Sequence, residues 1–174
     1  MRRTGDVWVA LALSAFAVVA CSDPHGGTLP SPSPAPSATS ATPTAVNLRT
    51  SLTNALHGYF DALYTAGLDP ANKTDALAAL VDPSCTCMRT VDVLREEARQ
   101  GRSIDYRYTL KDVAVIEVGE LGGNIRYTVM QSAGAERDHD GRVIEAYPAS
   151  TARFSAHFTR SGDAWRLDRV TEFR

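Results

Sequence analysis

The spacing of apolar residues changes once along this chain, at Arg102, and that change dictates the order of its parts. Upstream, Leu48, Leu52, Leu56, Tyr59, Phe60 and Leu63 recur at intervals of three and four, which puts them on one face of a helix from Val46 to about Gly67. Asp69-Pro70 breaks the chain, and Asp75 to Val81 reads as a short second helix stopped by Asp82-Pro83. A third helix carries Met88, Val91 and Leu94 on its apolar side and Arg95-Glu96-Glu97 in its tail, with Gly101 as a left-handed terminator. Downstream the period is two. Ile104, Tyr106, Tyr108 and Leu110 alternate with Asp105, Arg107, Thr109 and Lys111, and Lys111-Asp112 breaks the phase before Val113 to Val118. Further strands are predicted for Ile125 to Ala133, from about Ile144, from Thr151 to Thr159 and from Ala164 to Phe173, with turns at Gly119 to Asn124 and Ser161-Gly162-Asp163 and a polar loop from Gly134 to Gly141. Helices followed by antiparallel strands imply an α+β domain in which the helices cover one face of a sheet.

A different kind of sequence precedes this domain. Arg2-Arg3 and the apolar run from Val7 to Ala20 read as a secretory signal, because the run is too short to cross roughly 30 Å of hydrocarbon comfortably. Thr4-Gly5-Asp6 is a poor continuation of a twin-arginine signal. Val18-Val19-Ala20-Cys21 resembles the lipobox of bacterial lipoproteins, which implies cleavage before Cys21 and fatty acyl chains such as palmitate on that residue. Two chains suffice for stable anchoring, so the expected address is the extracytoplasmic face of the cell membrane, with the membrane as a partner through a lipid anchor. Six of the nine prolines fall between residues 21 and 45 among Ser, Thr, Ala and Gly, the composition of a tether. The expected organisation is a signal over 1–20, a lipidated cysteine and tether over 21–45, and one domain over 46–174.

Removal of the signal leaves 16 basic and 19 acidic residues, a formal charge of −3, with no basic cluster, so nucleic acid is not an expected partner. Only Lys73 and Lys111 among the basic residues are lysines, and alanine is abundant, which suggests a GC-rich genome.

Two segments carry a family resemblance. Gly58-Tyr59-Phe60-Asp61-Ala62-Leu63-Tyr64-Thr65-Ala66-Gly67 resembles the first helix and turn of the nuclear-transport-factor-2-like superfamily, which includes SnoaL-like cyclases and ketosteroid isomerases. Phe158-Thr159-Arg160-Ser161-Gly162-Asp163-Ala164-Trp165-Arg166-Leu167-Asp168 is similar to the terminal hairpin of those domains. The resemblance implies a cone-like fold, N-terminal helices packed on a curved antiparallel sheet with a pocket at the wide end, in a chain that looks like actinobacterial lipoproteins. It also implies the option of a homodimer through the open face of the sheet.

The pocket of such a cone would draw on Tyr59, Leu63, Tyr106, Tyr108, Tyr127, Phe154, Phe158 and Trp165, all apolar by periodicity. An isomerase would add a carboxylate base inside it. Asp61, Asp105 and Asp112 fall on polar faces or at a break, and Asp168, where the strand phase slips, reads as one half of a surface ion pair. His25, His57, His139 and His157 do not converge. Glu136 to Gly141 superficially suggests a calcium loop, but Tyr147 stands where the closing glutamate belongs. No catalytic residue, metal site or cofactor is expected.

Cys85-Thr86-Cys87 holds the two thiols left once Cys21 is lipidated. It reads as a local disulfide clipping the start of the third helix, with Cys85 in the loop; two separate thiols, a redox pair or half of a metal set are the other readings. Similar lipoproteins carry Cys-x-x-Cys here, one residue more than this chain. The function expected is a non-catalytic binding or assembly module of the cell envelope, working with an envelope protein. The alternatives are a carrier or sensor of a small apolar ligand and a SnoaL-like or isomerase-like enzyme.

Overall fold

The structure is a computed structural model that describes residues 44–173. Cys21, the signal and nearly all of the tether lie outside the described residues. Three helices come first, α1 (Ala45–Leu68), α2 (Pro70–Ala78) and α3 (Met88–Arg99). They are followed by β1 (Ser103–Ile104), β2 (Tyr108–Val118), β3 (Gly122–Gln131), β4 (Gly134–Arg137), β5 (Val143–Tyr147), β6 (Ser150–Ser161) and β7 (Ala164–Phe173). The strands form an antiparallel four-stranded sheet in the order β2-β3-β6-β7 and a three-stranded one in the order β1-β4-β5. This is the α+β arrangement read from the change of period, helices packed on antiparallel sheet.

The predicted stripe of α1 is its buried face: Leu52 and Leu56 are fully buried, in one core with Ile125 of β3, Phe158 of β6 and Leu167 of β7. On β3 and β6 the residues facing α1 alternate with polar ones, so Ile125 sits opposite Ala156 and Tyr127 opposite Phe154. Gly101 has φ 67°, and the Arg102 N–H donates to Glu97 O at 2.9 Å, which closes α3 in the left-handed manner expected.

Three elements differ from the sequence reading. The second helix starts at Pro70 rather than Asp75, because proline lacks the N–H that a first helical residue leaves unused, so the apparent breaker opens the helix. The polar stretch from Gly134 is a strand as far as Arg137, and the loop shrinks to the turn at Asp138, whose carboxylate accepts the N–H groups of Asp140 and Arg142 at 2.9 Å. Residues 105–107 leave the strand despite their alternation: single backbone bonds remain, Asp105 N–H to Ala135 O at 3.0 Å and Ser132 N–H to Arg107 O at 2.8 Å, and side chains take the other partners. Asp105 accepts the Ala135 N–H and pairs with Arg137 at 2.8 Å, and Ser132 Oγ accepts the Arg107 N–H at 2.9 Å. The Arg137 hydrogen bond, aided by the Ala135 N–H, holds the Asp105 carboxyl below its ordinary range.

The β4–β5 pair continues the β3–β6 pair, bent at residues 132–133 and 148–149. At the bend Gly134 passes so close to Tyr106 that a Cβ would stand 2.6 Å from Tyr106 Cβ and 2.8 Å from its Cα. Gly134→Ala is therefore expected to lower the unfolding free energy by about 2 kcal/mol in urea titration, the ordinary cost of overpacking.

The small sheet is tied to Arg102, just beyond the end of α3, through Glu136, which is buried. Its Oε1 accepts from Arg102 Nη1 at 2.8 Å and its Oε2 from the Tyr147 hydroxyl at 3.1 Å. Glu97 lies beside it with Oε2 buried and unpartnered among the described residues. Burial first, then the Glu136 charge, push the Glu97 carboxyl above its ordinary value. A carboxyl that binds its proton more tightly when folded stabilises the fold fully at acid pH and loses that contribution as pH rises through its folded value. Glu97→Gln keeps a donor without the charge, so it is expected to gain about 1 kcal/mol at pH 7 and nothing at pH 4, read by denaturant unfolding at the two values.

Candidate functional site

Between α1, the start of α3 and the larger sheet lies a cavity of about 380 Å³. Tyr59, Phe60 and Leu63 of α1 form one wall. Tyr108 of β2, Tyr127, Val129 and Gln131 of β3, Ser150, Ala152 and Phe154 of β6 and Val170 of β7 form the floor. Thr86, Cys87 and Thr90 close the remaining side.

The aromatic rings are coupled edge to face rather than spread apart. Phe60 meets Tyr59 and Tyr108 at centroid distances of 5.3 Å and Tyr127 at 5.7 Å, and Tyr127 stacks on Phe154 at 5.9 Å. Such rings hold one another in place and offer flat faces to an occupant. The polar groups are uncharged: Gln131, Ser150, two threonines and the tyrosine hydroxyls. Burial pushes the Tyr59 phenol up to about 12. Burial pushes Tyr108 up as well, helped by Tyr106, and Tyr127 likewise, helped by Tyr59. These phenols keep their protons throughout the physiological range, so they donate hydrogen bonds and do not act as bases.

Of the eight residues the sequence assigned to the pocket, Tyr59, Leu63, Tyr108, Tyr127 and Phe154 line this cavity. Three do not. Phe158 is 1% exposed in the core, four residues along β6 from Phe154 and so about 13 Å further from the mouth. Trp165 is buried against α1, its Nε1–H donating to Ser51 Oγ at 2.7 Å. Tyr106 precedes β2 and stands behind Tyr108, its ring 5.3 Å from Tyr108 and 5.8 Å from Tyr147. Period two tells which face a strand residue occupies and is silent on depth along a cone. Gln131, Ser150, Ala152 and Val170 escaped the sequence reading because nothing in their type marks them; only strand register gathers them.

The carboxylates weighed in the sequence face elsewhere. Asp61 is exposed on α1, Asp105 is held by Arg137, and Asp112, at φ 52° in a bulge of β2, accepts from Thr128 Oγ1 at 3.1 Å. Asp168 pairs with His157 Nδ1 at 2.9 Å. The β6–β7 register slips between His157 and Phe158, so that Asp168 and Arg169 both turn to the outer face, away from the cavity. Among the described residues, no group of acids, histidines or cysteines is arranged to hold a metal.

Cys85 and Cys87 are joined by a disulfide with their Cα atoms 5.1 Å apart. Cys85 lies in the loop and Cys87 at the cap of α3. The segment is pinned to the sheet independently, since Leu167 of β7 donates its N–H to Leu80 O and accepts the Asp82 N–H, both at 2.8 Å.

No protein-family model matches the chain, and no curated protein matches its sequence. Solved structures match its fold. A proposed aromatic ring hydroxylase from Novosphingobium aromaticivorans is 17% identical with a TM-score of 0.52, over 75% of this chain and 90% of that one. The intermembrane space region of the chloroplast protein ARC6 is 16% identical with a TM-score of 0.53, over 72% and 95%. An uncharacterised protein with a cystatin-like fold from Caulobacter vibrioides is 15% identical with a TM-score of 0.50, over 73% and 90%. Identities this low bear on fold alone, and one fold hosts many functions. With its helices laid on antiparallel sheet beside an open-ended cavity, the described domain has the cystatin-like fold of the third of these structures.

Proposed function

We propose that this protein is a non-catalytic binding module of the bacterial envelope, anchored through Cys21, whose cavity holds a small, uncharged, largely aromatic molecule. The observation that carries the reading is the lining: coupled aromatic rings and uncharged polar side chains, with no acid, base or histidine among the lining residues. Burying a charged ligand there would leave its charge without a partner at a cost of several kcal/mol, so the lining selects neutral molecules. General acid–base chemistry needs a group that changes protonation near the working pH, and the buried phenols are held far above it. The size is in the range of pockets that accept a small ligand. The signal-like start and Cys21 support the location.

Native mass spectrometry of protein purified from a lipid-containing source tests the reading. The expected result is a stoichiometric neutral ligand lost on denaturation; an empty protein that also fails to bind any of a panel of neutral aromatics would overturn it. Affinity for such a ligand is expected to stay flat from pH 5 to about 9, because no lining group titrates there. A titration curve with a midpoint in that window, measured by calorimetry, would point to an ionisable partner and against the reading.

A further inference from the structure

The disulfide stands at the cavity wall, and its two sulfurs are not equivalent. Cys87 lines the cavity, whereas Cys85 is 5% exposed and belongs to the core. The Cys87 N–H donates to Cys85 Sγ at 3.1 Å, and α3 begins at the next residue. A molecule in the cavity therefore borders Cys87 and not Cys85, whose sulfur sits against a backbone donor at the positive end of a twelve-residue helix.

The bond contributes little as a staple. Closing a ring of only three residues removes little chain entropy from the unfolded state. The loop has its own bonds: Cys85 N–H to Asp82 O at 2.9 Å, Met88 N–H to Cys85 O at 3.0 Å, and the Asp82 carboxylate accepting from the Ser84 N–H at 2.8 Å. Neither this network nor the bridge to Leu167 runs through the sulfurs, so opening the disulfide is expected to leave both in place.

We propose that Cys85–Cys87 is a thiol–disulfide exchange site, and that its substrates are small uncharged thiols with an aromatic or apolar body. The proposal rests on the reading of the cavity as a site for neutral molecules. A substrate thiolate attacks Cys87 Sγ; the new bond joins the substrate sulfur to Cys87, the Cys85–Cys87 bond breaks, and its electron pair leaves on Cys85 as a thiolate. The N–H of Cys87 and the start of α3 stabilise that leaving group. A second substrate thiolate then attacks the sulfur of the bound substrate, releasing a substrate disulfide and leaving Cys87 as the second thiolate. Two thiols are oxidised to one disulfide and the protein disulfide is reduced to a dithiol, which a different disulfide restores by the reverse exchange.

The test compares 2-phenylethanethiol with 2-mercaptoethanol, two alkanethiols of similar acidity, on the mature chain with its disulfide closed. Exchange is quenched by alkylation and the adduct is placed by fragmentation of the peptide. The expected result is a rate about tenfold greater for the aromatic thiol, in line with partial burial of its ring. The adduct is expected on Cys87 with Cys85 alkylated, and the far-UV circular dichroism unchanged. An adduct on Cys85, or reduction only in step with unfolding, would overturn the exchange site. Binding of 2-phenylethanol, which has no thiol, reads the cavity alone. If the alcohol binds while the disulfide resists both thiols, the exchange chemistry fails and the binding site stands; if the alcohol does not bind and the two rates are equal, the cavity reading fails and this proposal with it. Ala152→Phe, which fills the cavity, is expected to abolish the preference; a preference that survives it also overturns the proposal.

Discussion

Cys21→Ala is expected to abolish acylation and to move the domain from the detergent phase to the aqueous phase once the signal is removed. Each buried methylene of an acyl chain contributes about 0.8 kcal/mol, so two long chains hold a protein on a bilayer far more firmly than any contact its surface could make. No helix among the described residues is long and apolar enough to cross a membrane in place of such chains. Palmitate labelling and detergent partition of parent and variant are the measurements. A variant processed normally, and held by membranes as firmly as the parent, would overturn the anchor.

Phe158→Ala and Phe154→Ala are expected to fail in different ways, although both residues belong to the inward face of β6. Phe158 is enclosed in the core with Leu52, Ile125 and Leu167, and its truncation is expected to cost about 4 kcal/mol of unfolding free energy through lost transfer energy and a residual void. That is a large part of the stability of an ordinary domain, and a strong fall in Tm follows. Phe154 is half-buried at the cavity and stacks on Tyr127. Its truncation is expected to cost about 1 kcal/mol in stability and to weaken binding of a neutral aromatic at least tenfold, since one face of the ligand site is lost. Urea unfolding and calorimetry separate the two effects. Equal losses of stability, or a Phe154 variant that binds like the parent, would show that the cavity has been placed wrongly.

Which inward aromatic residues line the cavity follows from their depth along the strands as well as from their face. Tyr59, Tyr108, Tyr127 and Phe154 were recognisable because large aromatic residues recur at core positions of one helix and three strands. Phe158 and Trp165 have the same signature and a different location. Gln131 and Ser150 were invisible as cavity residues, yet they face each other as cross-strand partners at the last rung of the β3–β6 pair, a pairing that depends on register. Cys87 was read as a clip for a helix, and its position on the cavity wall depends on how residues 80–82 add to the edge of β7.

Local rules settle what neighbours in the chain decide. The switch of period at Arg102, the left-handed close at Gly101 and the hairpin at Gly162, where φ is 60°, were all readable from the sequence because each follows from backbone geometry or from which side chains share a face. Three features needed the tertiary structure: the burial of Glu136 within a small second sheet, the outward turn of Asp168 at a bulge, and the depth at which each inward aromatic stops. Each depends on which distant segment arrives opposite it and in what register, and a one-residue shift in pairing changes which residues stand together at a given rung.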